Sequence, residues 1–211
     1  MAHIGRDLLL WPPVILEGNP YGTLPLSREN GLTRLHVPIG HHLDMFTYVL
    51  GDFASVSATD FTMYPTGTFV NADGQPTGKT MQSETPDHFA ITGLLKTGIL
   101  VNLFWRDGYS SGPETGRRQF VWEIDGEEGS IRMEGSGLHG AFPGMQEPEL
   151  FLNGKKVEFE AGNVFQSVTL AWKEFAKGEK GDYATIHDAV KHHELLDAIE
   201  LSAKEGRRIH L

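Results

Sequence analysis

The sequence predicts an α+β fold, a mostly antiparallel sheet with helices packed on one of its faces. Three observations predict it. Apolar residues recur at every second position from 88 to 159, in paired runs separated by turn residues. They recur at every third and fourth position in 39–50 and again in the last quarter of the chain. Strand-like and helix-like stretches are grouped, and grouped elements pack as helices on one sheet face.

Each element follows from its own residues. Near the start, Ile4, Leu8 to Leu10 and Val14 to Leu16 read as short strands, and Pro12-Pro13 breaks a central strand there or forces an edge position. Leu43, Phe46, Val49 and Leu50 mark one face of a helix over 39–50, which Gly51 caps. Val56, Ala58 and Met63, with Phe61, place a strand in 54–64. Residues 65–87 carry Pro65, Gly67, Gly74, Pro76, Gly78 and Pro86 and are expected to form a long loop. Phe89, Ile91, Gly93 and Leu95, then Lys96-Thr97-Gly98, then Ile99 to Trp105 predict a β-hairpin. Phe120, Trp122 and Ile124 pair with Ile131 and Met133 across a turn at 125–129. Leu150 and Leu152, Asn153-Gly154, then Val157 and Phe159 make a hairpin with a type I′ turn, which needs two positive φ angles. Val168, Ala171, Trp172 and Phe175 share a helix face that Gly178 ends. Thr185 with Asp188 is a capping-box start for a final helix carrying Ile186, Ala189, Val190, Leu196 and Ile199 and ended by Gly206.

Composition bounds the function. The 211 residues are read as one domain, long enough to bury roughly 70% of the unfolded surface. There is no cysteine, so disulfides, thiolate zinc ligands and thiol nucleophiles are excluded. Eighteen Lys and Arg against 28 Asp and Glu give a net charge of −10, which argues against nucleic acid as a partner. The longest early apolar run, Leu8 to Trp11, is too short for a membrane span, and no signal peptide is read. A cytoplasmic location is the expectation.

Few motifs carry chemistry. Gly135, Gly137 and Gly140 form a G-x-G-x-x-G after a strand, but Ala141-Phe142-Pro143-Gly144 follows it and is no helix. A dinucleotide site needs a helix start there. Ten histidines invite a metal check. His193 and Asp197, with His192 and His187 close by, have the spacing, yet Lys191, Glu194 and Glu200 read as a solvated helix face. No metal is expected. Gly40-His41-His42-Leu43-Asp44 stands at a predicted helix start, where unpaired N–H groups favour negative charge. Its imidazoles can act as acid or base near pH 7. Capping by Asp44 or His42, with the other ring buried, is the commoner outcome of such spacing. Asp87-His88 opens one hairpin strand and Trp105-Arg106-Asp107 closes its partner, both at strand ends where sites gather. Arg117-Arg118 can pair with a carboxylate or phosphate, or lie in a solvated turn.

Four segments together resemble one family. G-H-H-L-D-M-F-T-Y-V-L-G at 40–51 resembles the helix that opens the C-terminal domain of Gfo/Idh/MocA oxidoreductases. T-P-D-H-F-A-I-T-G-L-L at 85–95 and F-V-W-E-I-D-G-E-E-G-S-I-R-M-E-G at 120–135 resemble its strands, and 187–211 its closing helix and strand. Met1 to Arg6 is similar to the crossover that follows the nucleotide domain. The nearest branch is fungal and includes a galactose-pathway repressor. The resemblance implies an open sheet, a small-molecule substrate pocket and a dimer contact through the open sheet face. It implies that NAD(P) is held by an N-terminal Rossmann domain lying outside this sequence, so no cofactor is expected on this chain alone. The family's D-x-G-x-H places its histidine at His41 as the acid/base group, while Val37 stands at the aspartate position. Substrate contacts are then expected from His42, Asp44, Asp87, His88, Trp105 and Arg106.

Three functions follow as expectations. The first is the substrate-binding domain of an oxidoreductase, for a sugar-like metabolite, without redox competence of its own. The second is a stand-alone non-redox enzyme in which His41 and His42 catalyse isomerisation or cyclisation. The third is a regulatory or protein-binding module, whose uncovered sheet face binds a partner or a second copy. Trp105, Trp122, Phe89 and Phe120 are candidates for that face, although aromatics in strands are more often core.

Overall fold

The computed structural model describes residues 2–4, 14–108, 116, 118–135, 148–159 and 164–211. Its strands and helices, in chain order, are β1 (Ala2–Ile4), β2 (Val14–Leu16), α1 (Gly40–Leu50), β3 (Phe53–Phe61), β4 (Thr66–Val70), β5 (Pro76–Gln82), β6 (His88–Leu95) and β7 (Leu100–Arg106). Then come β8 (Phe120–Gly126), β9 (Gly129–Gly135), β10 (Glu149–Leu152), β11 (Lys155–Val157), α2 (Val164–Phe175), α3 (Ile186–Glu205) and β12 (Ile209–His210). The expected strand at Leu8 to Leu10, the Pro12-Pro13 break, Arg117, and Gly137 and Gly140 lie outside the described residues.

Among the described residues, nine strands form one sheet in the order β11-β10-β9-β8-β1-β7-β6-β3-β12. Every pairing in it is antiparallel except β1 with β7. The hairpins close as their turn residues require. Gly98 takes φ +88° between β6 and β7, and Asn153 and Gly154 take φ +51° and +74° between β10 and β11, as a type I′ turn demands.

The two faces of this sheet differ. Along β6, Phe89, Ile91 and Leu95 are buried, whereas Ala90, Thr92 and Leu94 are exposed. The buried set meets α1 and α3 in one core that includes Leu43, Phe46, Val56, Trp105, Phe120, Leu196 and Ile199. Gly93 admits that packing, since a Cβ there would come within 2.6 Å of the Phe53 ring. Ser202 on α3 donates its hydroxyl to the Arg207 carbonyl at 2.6 Å and accepts the Ala58 N–H at 2.8 Å, fixing the helix to β3.

Several expectations need correction. Residues 65–87 are not a loop, because β4 and β5 pair antiparallel and β2 joins β4 in a second, three-stranded sheet. Ile15 explains one of the misleading glycines, since a Cβ on Gly67 would lie 2.7 Å from its Cδ1. Another, Gly74, completes a turn in which the Asn71 side chain accepts the N–H groups of Asp73 and Gln75 at 3.0 and 2.9 Å. The apolar stripe of α2 is not buried on the sheet. Phe165, Val168, Trp172 and Phe175 are each more than half exposed. In α3, Ile186 and Val190 are exposed, and burial begins only at Leu195. Phe61, Met63 and Val49 are exposed as well.

A buried ion pair joins the segment before α1 to the end of β7. Arg34 and Asp107 are 0% and 1% exposed, with Nε donating to Oδ2 at 2.9 Å. Arg34 Nη1 also donates to the Thr85 hydroxyl at 2.8 Å. No helix among the described residues is long and apolar enough to cross a membrane.

Candidate functional site

Pro38 sets the geometry of the His-rich segment. It has no N–H, so the Arg34 carbonyl lacks its usual partner four residues on. The Ile39 N–H takes that carbonyl instead, at 3.1 Å, and the chain forms a π turn over Leu35–Ile39 that runs directly into α1. The Gly40 N–H is shared by the carbonyls of Leu35 and Val37. The start of α1 therefore does not present the unpaired amides expected from sequence. At α3, Asp188 and Thr185 complete a reciprocal capping box, so a carboxylate already occupies that helix start.

Consecutive residues of an α-helix diverge by about 100°, and α1 separates the two histidines accordingly. His42 turns toward the sheet, 9% exposed, with its ring 5.2 Å from Trp105 and 5.6 Å from Phe120. These rings line an apolar cavity of about 40 Å³, too small for a metabolite. His41 and Asp44 turn the other way, into a cleft of about 750 Å³ bounded by α1, α3 and the segment after α2. That volume is ordinary for a small-molecule site.

Polar groups surround this cleft. The Tyr48 hydroxyl donates to Asp182 Oδ2 at 3.1 Å, and the neighbouring carboxylate holds the phenol above the ordinary tyrosine range. Lys191 and Lys96 approach Asp52 at 3.1 and 3.9 Å. His192 enters from α3. Burial pushes its imidazole below the ordinary histidine range, Asp44 opposes that shift, and His193 and His41 add to it. Sequence reading missed Tyr48, Asp182 and Lys191, and placed His192 on a solvated face. Only the tertiary approach of α3 to α1 identifies them.

The remaining expected contacts lie elsewhere. His88 pairs with Arg106 in register and Phe89 with Trp105. Side chains alternate along a strand, so His88 and Arg106 share the sheet face opposite α1, and Trp105 faces α1. Asp87 is fully buried. Its carboxylate accepts the N–H groups of Met63 and Tyr64 at 2.7 and 2.8 Å and contacts His88 Nδ1 at 2.6 Å. The seven expected residues thus divide among three places, with only His41 and Asp44 in the cleft. The four aromatics named as candidates for the uncovered face, Trp105, Trp122, Phe89 and Phe120, are buried on the helix side as core, the commoner place for strand aromatics. Among the described residues no cluster of three or more His, Asp or Glu is placed to hold a metal ion.

Comparison with known proteins places this geometry. Residues 8–135 match a family model described as the Gal80p C-terminal domain. The dehydrogenase aclE of Aspergillus oryzae is 27% identical over 202 residues, covering 86% of this chain and 49% of the relative. The chain thus spans about half the length of that curated relative. Among solved structures, a super-repressor mutant of Gal80p from Saccharomyces cerevisiae superposes with a TM-score of 0.82 at 17% identity, over all of this chain and 57% of that one. An aldose-aldose oxidoreductase from Caulobacter crescentus, complexed with glycerol, gives 0.64 at 16% identity, over all of this chain and 55% of that one.

Proposed function

This chain belongs to the Gal80p C-terminal domain family, with the fold of Gfo/Idh/MocA-type oxidoreductases, and we propose that it is the substrate-binding part of such a protein. The observation that carries the reading is the placement of His41 and Asp44, one turn apart on α1, in the 750 Å³ cleft. The ligand class is a small polyhydroxylated metabolite. Imidazole, carboxylate, phenol and ammonium groups around one cleft can exchange hydrogen bonds with vicinal hydroxyls. His41, exposed at the cleft wall, is the group that accepts or returns a hydroxyl proton.

NAD(P) does not fit the helix starts of α1 and α3. A pyrophosphate needs free N–H groups at a helix start after a glycine-rich turn. Here upstream carbonyls and Asp188 occupy them. These two helix starts therefore offer a nucleotide no pyrophosphate contact.

Calorimetric titration of the chain with an aldose, and separately with NAD(H) and NADP(H), tests the reading. Aldose binding is expected, weakened roughly two- to ten-fold in His41→Ala, the scale of one hydrogen bond. No tight nucleotide binding is expected. Aldose binding unaffected by His41→Ala, or tight nucleotide binding by this chain alone, overturns it. Light scattering in the same samples tests the expected dimer. Leu94 and Leu100 face each other on the uncovered face, 40% and 79% exposed, so Leu100→Glu is expected to convert a dimer to a monomer.

A second reading, a regulatory module that binds a protein, draws on two observations. The fold matches the Gal80p repressor more closely than the aldose oxidoreductase. The exposed stripe Phe165, Val168, Trp172 and Phe175 on α2 offers a partner an apolar helix face.

A further inference from the structure

His192 has no part in the proposed function as stated, and the inference drawn from it rests on that reading of the cleft. Its placement is specific. It lines the cleft together with His41 and Asp44. Its ring sits against the backbone of α1 one residue before His41, where a Cβ on Gly40 would lie 3.4 Å from Nε2. Its neighbour His193 approaches His36 instead, with ring centroids 6.3 Å apart, and the His192 and His193 rings stand at 76° to one another. Of the two adjacent histidines on α3, His192 is the one in the cleft.

We propose that His192 is a positioning residue of this cleft wall, set against the Gly40 backbone with His41 and Asp44 lining the same cleft, and that the charge carried at positions 41 and 44 governs whether its imidazole holds a second proton. A neutral His192 ring offers a hydroxyl-bearing ligand one N–H to donate and one ring nitrogen to accept. The groups that face His192 make this a coupled site. His41 and Asp44 approach from α1, His193 from its own helix, and Asp188, Lys191 and Glu194 of α3 line the same cleft. Tyr48 and Asp52, with Lys96 and Asp182, lie along the remaining walls. Burial and the two imidazoles favour the neutral ring, while Asp44 and the Gly40 backbone favour the charged one.

Histidine-ring NMR titration of the 211-residue chain tests the charge dependence without sugar or nucleotide. The His192 midpoint is expected to rise in His41→Asn, fall in His41→Lys and fall in Asp44→Asn, because these remove or add charge facing the ring. A His192 that serves packing alone does not follow the charge at position 41. A midpoint that stays at the wild-type value in both His41 variants, with the backbone spectrum intact, overturns the inference. His41 and Asp44 are exposed, so these variants leave the core untouched. Failure of aldose binding in the calorimetry is read separately, since that result does not enter the titration.

Discussion

Met63 and Tyr64 donate their backbone N–H groups to opposite oxygens of Asp87, and His88 meets one of the same oxygens. This carboxylate therefore holds the turn that leads from β3 into β4. It is not available to a ligand, although its place at a strand end beside a histidine reads as chemistry in the sequence. Asp87→Asn puts an amide N–H₂ against a backbone donor. A loss of about 2 kcal/mol in urea unfolding is expected, with aldose affinity unchanged in the folded fraction. A variant of wild-type stability that no longer binds aldose refutes this assignment. His41 and Asp44 were both named from sequence, in one segment at a predicted helix start and through the family resemblance, but nothing in the spacing joined them to each other rather than to His42. His42 was misplaced because spacing alone does not say which ring faces the sheet. The answer depends on the extra residue in the π turn, and that turn depends on the missing N–H of Pro38.

The elements that sequence located best carry their own punctuation. Asn153-Gly154 and Lys96-Thr97-Gly98 specify turns, and Thr185 with Asp188 specifies a helix start. β4 and β5 were hidden by glycines and prolines that the small sheet tolerates, one of them for the sake of Ile15. The periodicity of α2 was legible and its exposure was not, because a pattern shows which residues share a face but not what lies opposite. In α3 the capping box sits two turns before the first buried residues, Leu195 and Leu196. Thr185→Ala is accordingly expected to cost about 1 kcal/mol. Hydrogen exchange should speed up over 186–192 while 195–202 stays protected. Uniform loss of protection along α3 contradicts this division. His192 stands at the boundary, so its approach to α1 depends on the cap.

At the scale of the molecule, β1 joins two blocks. One is β8 to β11, a meander of local hairpins, and the other is β7-β6-β3-β12. All three residues of β1 pair with β7 on one side, and His3 and Ile4 pair with β8 on the other. Sequence showed Ile4 as strand material, but a lone short run carries no signal that it belongs at the centre of a sheet. A proline at position 3 removes a ladder N–H. In His3→Pro, exchange protection is expected to drop in β8 to β11 while β3, β6 and β7 keep theirs. Equal loss across both blocks shows instead that the sheet opens as one unit.

The same placement decides how the molecule carries load. A pull between residue 2 and residue 211 enters at mid-sheet and leaves at the rim. It must cross β7, β6 and β3 to reach β12. The last link on that route is two paired residues, Ile209 with Val56 and His210 with Ser55, and the Leu211 N–H to the Ala54 carbonyl at 3.0 Å. Tension loads both ends alike, so the rim strand, held on one side only, peels before β1, which is held on two. Leu211 lines the cleft, so the wall it forms goes with that strand, while β3, β6 and β7 keep their pairing.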